Sequence, residues 1–250
     1  MGKFFSIDSP FYRFATKLTD ILILNLLWIL CSIPIVTIGA STTAIYYVSL
    51  KMVKNEEEYI VKSFFHSFKQ NFKQSTIMWL IFLAFGVILG TDYYYLFNLS
   101  DNPSLFLKGI TVLASILYAF CILYAFPLIA RYENTIGRTI MNSVAISIRY
   151  IFRTIIIILM IAVLTFLGFY STTTLFFALM FGVGVVAFVV SAYVMKIFEN
   201  LEVQKQKWDE EHGEQISDEN AEDIDDILND NQDEENYNDH EENENGYKEN

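Results

Sequence analysis

Long apolar runs separated by short polar segments are the dominant pattern of this chain. The longest run extends from Thr154 to Met195, 42 residues without an Asp, Glu, Lys or Arg. A helix rises about 1.5 Å per residue and the hydrocarbon core of a bilayer is about 30 Å thick, so roughly 20 apolar residues cross it once. The run is long enough for two crossings, which predicts a membrane protein.

The remaining apolar runs extend this prediction to an all-α fold, a polytopic transmembrane helical bundle formed by residues 1–199. Gly168 to Thr174 should form the turn that divides the longest run, because hydroxyl groups there can satisfy the backbone locally. About five spans are predicted, near residues 18–38, 74–97, 106–130, 151–170 and 174–196.

The first apolar run contains a break, since Pro34 cannot continue a helix and Gly39 tolerates the backbone angles of a reversal. We therefore predict a broken or re-entrant piece near residues 34–50. Either the run crosses once and leaves the N-terminus outside, which we favour, or it forms a hairpin that returns to its starting side. The candidate residues for the helix break or a polar lining are Asn25, Pro34, Thr37, Gly39 and Ser41.

The overall charge of −12 hides two parts of opposite sign. Residues 1–199 hold 14 Lys and Arg against 9 Asp and Glu, whereas residues 200–250 hold 3 against 20. Basic residues concentrate at 51–73 and 131–153, which the positive-inside rule assigns to the cytoplasm. The acidic C-terminal tail, residues 200–250, is then also cytoplasmic, and we expect it to be disordered because it has little apolar surface to bury.

Residues 56–73 predict an amphipathic helix lying at the cytoplasmic interface, with aromatic rings toward the bilayer and lysines toward the headgroups. This helix is interpreted as a connector that orients the following span, as a docking surface for another protein, or as a segment buried among the spans. The candidate docking residues are Lys62, Phe64, Phe65, Phe68, Lys69, Phe72 and Lys73. Residues 131–153 suggest a second such element, with Ile136, Ile140, Val144 and Ile148 at spacings of four.

Gly86 and Gly90 form a small-xxx-small pair that favours close helix packing, within the same bundle rather than between two copies.

Chemistry-bearing residues are scarce in the predicted spans. No carboxylate, His or Arg lies clearly inside a span, and the sequence has no Gly-rich phosphate loop and no pair of metal-binding histidines. We predict no catalytic, cofactor-binding or metal site, hence a noncatalytic protein with the lipid bilayer as its first partner and no nucleic-acid partner.

Residues 10–80 contain three distinctive segments, Asn25-Leu-Leu-Trp28, Ser32-Ile-Pro34-Ile-Val-Thr37-Ile-Gly39-Ala40-Ser41 and Ser63-Phe-Phe-His-Ser-Phe-Lys. In these segments, where the similarity is densest, the chain resembles the bacterial YesL family of membrane proteins. The resemblance implies a multi-pass protein of the bacterial plasma membrane whose genes often lie beside carbohydrate ABC transporters. The function expected from it is an accessory component of such an uptake system, with ABC transporter subunits as partners. The alternative is a membrane-bound regulator or scaffold that recruits a cytosolic protein through the acidic tail.

Overall fold

The computed structural model describes residues 10–56, 59–99 and 104–245. Within these ranges the chain contains seven α-helices and no strand, so the all-α fold expected from the sequence is confirmed. The helices are α1 (Pro10–Cys31), α2 (Ile38–Lys54), α3 (Ile60–Tyr94), α4 (Leu105–Arg131), α5 (Ile136–Arg149), α6 (Ile151–Phe169) and α7 (Thr172–Asn245).

Five of the described helices are long and apolar enough to cross a bilayer, as the lengths of the uncharged runs predicted. Their apolar stretches are Phe14–Cys31, Ile60–Asn98, Leu105–Arg131, Ile151–Phe169 and Thr172–Trp208. Many large apolar side chains on these helices are exposed, among them Phe152, with 81% of its surface accessible. Exposed apolar surface of this extent is unfavourable in water and suits lipid contact, so the chain is a multi-pass membrane protein.

Helices α1 and α2 form an antiparallel hairpin. At one end Lys17 Nζ donates to Asn55 Oδ1 at 2.8 Å and to Met52 O at 3.3 Å, and at the other Trp28 Nε1 donates to Thr42 Oγ1 at 3.1 Å. The start of α1 and the end of α2 therefore lie together. This corrects our preference for a single crossing, because the chain reverses its direction after Cys31. Pro34 stops α1 from continuing, and α2 then packs antiparallel to α1.

The antiparallel hairpin of α1 and α2 can be tested by cysteine labelling. In a variant with Cys31 and Cys121 replaced by Ala, single cysteines at exposed Thr16 and Lys54 should react with an impermeant maleimide from the same side of sealed vesicles. A cysteine at exposed Leu105, at the start of α4, should react from the opposite side. Labelling of positions 16 and 54 from opposite sides would contradict the hairpin.

Helix α3 is one continuous helix of 35 residues, about 52 Å long. It joins the segments that we predicted as a separate interfacial helix (56–73) and a span (74–97), because neither Pro nor Gly occurs between Ile60 and Gly86 to stop it. Its first half runs antiparallel to α2: the hydroxyls of Thr43 and Ser75 share a hydrogen bond of 2.7 Å. A π-helical segment, Tyr95–Leu99, follows α3.

The best-packed part of the molecule surrounds α2 and the last third of α4. Every residue from 123 to 130 of α4 is buried, as are most residues of α2. Phe64 and Met78 of α3 are fully buried as well, and Phe82 contacts Phe126 of α4 with ring centroids 5.9 Å apart. The core therefore lies at one end of the bundle, while the other parts of the long helices have lipid-facing surfaces.

Helix α5 folds back along α4 rather than leaving the bundle. Near its start, Gln74 of α3 donates to Asn134 O at 2.7 Å, and near its end Ser147 Oγ donates to Phe120 O of α4 at 3.2 Å. Helix α6 then begins at Ile151 and ends at Phe169, and α7 begins three residues later.

The chain divides into two compact units, residues 1–197 and residues 198–250. In the second unit α7 continues as a helix to Asn245, whereas the disorder expected of the acidic tail stays a prediction. The physical reason is local: an established helix can be extended without a new nucleation step, and the tail is rich in Glu and lacks Pro.

Candidate functional site

The turn between α1 and α2 has an apolar surface and a satisfied backbone. Ile33 and Ile35 have 73% and 63% of their surfaces exposed. Thr37 Oγ1 lies 2.6 Å from Cys31 O and 2.7 Å from Pro34 O, in a shared hydrogen bond, and Trp79 Nε1 of α3 donates to Ile35 O at 2.9 Å. Non-helical backbone at membrane depth requires such partners, and those that this turn has are compatible with a position in the bilayer.

Gly39 is a helix-packing residue and not the reversal that we predicted. It lies inside α2 with a negative φ, and a Cβ atom added to it would contact Ser75 O and lie 2.6 Å from Trp79 Cβ. Ser41 is buried and donates to Thr37 O at 3.1 Å, so its hydroxyl serves its own helix. The hydroxyls of Thr37 and Ser41 therefore bond to backbone carbonyl groups, and a polar lining at this turn stays a prediction.

Asn25 links α1 to α7. Its side chain is fully buried, its Nδ2 donates to Leu179 O at 2.8 Å, and its Oδ1 accepts from Gly184 N at 3.1 Å. A Cβ atom at Gly184 would lie 2.7 Å from Ile21 O, so the missing side chain allows α1 to approach. This polar contact fixes the crossing of two apolar helices, which the sequence did not reveal because the two residues lie 159 positions apart.

The predicted docking residues are divided between the interior and the surface of α3. Phe64 is fully buried, Phe68 is half-buried, and Phe65 and Phe72 have 39% and 40% of their surfaces exposed. The rings form a ladder along the helix, with centroids 6.3 Å apart for Phe64 and Phe68 and 5.6 Å apart for Phe68 and Phe72. The exposed lysines of this segment are Lys62, Lys69 and Lys73.

Gly86 and Gly90 differ in their surroundings. A Cβ atom at Gly86 would lie 3.1 Å from the hydroxyl oxygen of Tyr118 on α4, whereas one at Gly90 would meet nothing within 4 Å. Gly86 thus faces a helix of the same bundle, as we expected for this pair, and Gly90 faces open surface.

A row of hydroxyl residues on α5 was missed by the sequence analysis. Thr139, Ser143 and Ser147 are fully buried at spacings of four and donate to backbone carbonyls of their own helix, at 3.0, 2.7 and 2.7 Å. Ile148 is 60% exposed on the other side. We had noted the isoleucine spacing of this segment, but the small hydroxyl residues form the face that packs on α4.

A large apolar cavity of about 550 Å³ lies between α6 and α7, lined by residues such as Leu164, Phe177 and Val186. Its lining offers almost no polar group for chemistry. Within the described ranges, no group of three His, Cys, Asp or Glu residues is placed to hold a metal ion. Cys31 and Cys121 are both half-buried free thiols.

Comparison with known proteins gives two matches. A family described as "Protein of unknown function, DUF624" has a model that matches residues 21–93. The chain is also 26% identical over 210 residues to "Uncharacterized protein YesL" of Bacillus subtilis (strain 168), which covers 81% of this chain and 96% of that protein. No solved structure matches the chain. The resemblance predicted from residues 10–80 is therefore confirmed: the chain is similar to YesL along most of its length, and to a family whose description states no function over residues 21–93.

Proposed function

We propose that this protein is a noncatalytic accessory component of a carbohydrate ABC-type uptake system in the bacterial plasma membrane. The link to carbohydrate uptake comes from the family resemblance. The observation that carries the proposal is the exposed basic and aromatic surface on the first half of α3, which consists of Lys62, Phe65, Lys69, Phe72 and Lys73. We call it the α3 surface.

The α3 surface is held by a rigid support, as an interaction surface requires. Phe64 and Ser67 of the same helix turns are fully buried, and Asn71 Nδ2 donates to Ser67 O at 3.2 Å. Aromatic side chains are enriched at the centres of protein interfaces, and lysines around them steer an acidic partner. In the proposed orientation, the α3 surface, the start of α1 and the acidic tail all face the cytoplasm, where the transporter's ATPase subunits bind.

Charge reversal on the α3 surface tests this proposal. The triple variant Lys62→Glu, Lys69→Glu and Lys73→Glu should recover at least about tenfold less transporter subunit in a mild-detergent pull-down than the unmodified protein, because close charge pairs contribute strongly at interfaces. Lys108→Glu, at an exposed position near the start of α4 and hence at the opposite end of the bundle, should leave recovery unchanged. If no transporter subunit is recovered with the unmodified protein, the proposal is wrong.

A second function is supported by the charge of the tail, where residues 200–250 carry 20 Asp and Glu against 3 Lys. Such a segment would recruit a basic cytosolic protein by long-range attraction, which makes the protein a membrane-bound regulator or scaffold. The same pull-down with a chain that ends at residue 207 separates the two proposals. Loss of the partner from this shortened chain, with retention in the triple variant, favours the scaffold.

A further inference from the structure

The large apolar cavity between α6 and α7 has no part in the proposed function, and we call it the α6–α7 cavity. Its volume is about 550 Å³, and its lining residues lie between Leu164 and Phe169 of α6 and between Thr174 and Val186 of α7. This volume lies within the range of about 300–1,000 Å³ that is typical of ligand sites. The cavity is therefore large enough to hold a ligand.

The two helices touch at one point and leave a gap beyond it. A Cβ atom added at Gly168 would lie 3.1 Å from Ala178 Cβ, so α6 and α7 are in contact next to the turn that joins them. One helical turn further along α7, a Cβ atom at Gly182 would lie 3.9 Å from Ala178 Cβ of its own helix. Among the described residues, no atom of α6 comes within 4 Å of that position. The space left between the helices is the cavity.

Helix α7 cannot move to close this gap, because α1 holds its opposite face. Gly184 lies two residues after Gly182 and hence on the other side of the helix. Its backbone N donates to Asn25 Oδ1 at 3.1 Å, and a Cβ atom there would lie 2.7 Å from Ile21 O. Closing the cavity would separate α7 from α1 and break the hydrogen bonds of Asn25. The cavity is therefore a fixed feature of the bundle.

The lining offers no free hydrogen-bonding group to an occupant. Its two hydroxyl residues are Thr165 and Thr174. Thr165 Oγ1 donates to Ile161 O at 2.8 Å, and Thr174 Oγ1 donates to Ser171 O at 2.8 Å and accepts from Ser171 N at 2.9 Å. A buried water needs about two to four polar partners, and an apolar cavity without them stays dry. The cavity therefore favours an occupant without polar groups.

The α6–α7 cavity opens on the lipid-facing surface of the bundle. Phe169, Phe177 and Leu179 line it and have 76%, 57% and 63% of their surfaces exposed. Both helices belong to the five that are long and apolar enough to cross a bilayer. Acyl chains can therefore enter from the surrounding membrane without passing a polar region. An empty cavity would lose van der Waals contacts along its lining, which favours filling by the nearest hydrocarbon.

We propose that the α6–α7 cavity is a binding site for one acyl chain of a phospholipid. The lipid belongs to the leaflet next to the turn between α6 and α7, since Thr174 in the first turn of α7 lines the cavity. Lipid tails are as apolar as the lining, so close packing and not the hydrophobic effect retains the chain. Binding should therefore depend on chain length and not on headgroup charge. This inference is independent of the transporter association proposed above.

Native mass spectrometry of the full chain, released from a mild nonionic detergent, tests the proposal by counting the lipids that the protein retains. The probes are dipalmitoyl phosphatidylcholine, dipalmitoyl phosphatidylglycerol and dihexanoyl phosphatidylcholine, each titrated into delipidated protein. The two dipalmitoyl lipids should bind their first molecule with affinities within about twofold of each other, because the lining does not contact the headgroup. Dihexanoyl phosphatidylcholine should bind at least about tenfold more weakly, because its chains are too short to fill the cavity.

Two glycine variants give this experiment a matched comparison. Gly182→Phe places a ring in the cavity and should weaken retention of the first dipalmitoyl lipid at least about tenfold, because the ring takes the place of the chain. Gly90→Phe is the control, since a Cβ atom at Gly90 would meet nothing within 4 Å, and it should retain the lipid as the unmodified protein does. If Gly182→Phe does not fold, Leu164→Trp adds bulk to the α6 side of the cavity and should cause the same loss.

Three outcomes would overturn the proposal. The first is equal lipid retention by the unmodified protein and the cavity variant. The second is a preference of more than about tenfold for phosphatidylglycerol, which would place the retained lipid at a basic surface. The third is a dimer that forms without lipid and is lost in Gly182→Phe, which would show that a second copy of the chain covers the cavity.

Discussion

Gly39→Ala is expected to lower the stability of the bundle by about 1–3 kcal/mol, the range typical of overpacking a well-packed core. The added Cβ would contact the Ser75 carbonyl oxygen and lie 2.6 Å from Trp79 Cβ, both close to the rigid backbone of α3. Intrinsic helix propensity alone favours Ala over Gly by about 1 kcal/mol. The sign of the change, measured as the thermal unfolding midpoint in detergent, therefore distinguishes close packing from propensity.

Gly90→Ala provides the control for this measurement. Gly90 also lies within a helix, but a Cβ atom there would meet nothing within 4 Å. We expect this variant to be as stable as the unmodified protein or slightly more stable, because only the propensity term acts. Equal midpoints for the Gly39 and Gly90 variants would show that α2 and α3 are not in close contact at Gly39.

The all-α fold and the five long apolar helices could be predicted because they depend only on the lengths of the uncharged apolar runs in the sequence. Helix ends were harder to predict, because a polar segment can lie inside one continuous helix without ending it. Lys69 and Lys73 suggested a boundary between an interfacial helix and a span, yet nothing in the backbone stops α3 there. A change in polarity along a helix marks a change in its surroundings and not its end.

Helix neighbours could not be predicted, because local periodicity does not say which faces meet. The residues of α5 show this: its aliphatic residues at spacings of four suggested a second interfacial element, but Thr139, Ser143 and Ser147 are buried in the bundle. In lipid, small hydroxyl residues allow close helix approach and apolar side chains can remain outside. Three of the four buried residues of α5 therefore carry a hydroxyl group, and only Ile146 is apolar.

A small cavity lined by Lys51, Lys54, Glu56 and Arg131 illustrates the same limit. Lys51 and Arg131 were both recognised as basic residues near the ends of predicted spans, from their positions in the chain. That they line one cavity depends on α2 returning to the end of the bundle where α4 finishes. The hairpin turn at Pro34 therefore places Lys51 beside Arg131, and the sequence left the direction of that turn open.

Asn25→Leu is expected to destabilise the fold by about 1–3 kcal/mol, because two larger methyl groups replace the amide that makes both hydrogen bonds between α1 and α7. The two backbone groups of α7 that lose the Asn25 side chain as a hydrogen-bond partner are Leu179 O and Gly184 N. Asn142→Leu serves as the control, because Asn142 is exposed on α5 and the change there should have little effect. Both midpoints are measured by thermal unfolding in the same detergent.

A double-mutant cycle with Gly184→Ala makes this prediction specific to the α1 and α7 crossing. An added Cβ at Gly184 would lie 2.7 Å from Ile21 O and force the two helices apart, which already breaks the bonds of Asn25. The two losses should therefore be far from additive, with a coupling of about 0.5–3 kcal/mol, as expected for residues in direct contact. Additive losses, or an Asn25→Leu variant as stable as Asn142→Leu, would mean that the Asn25 amide does not hold α1 against α7.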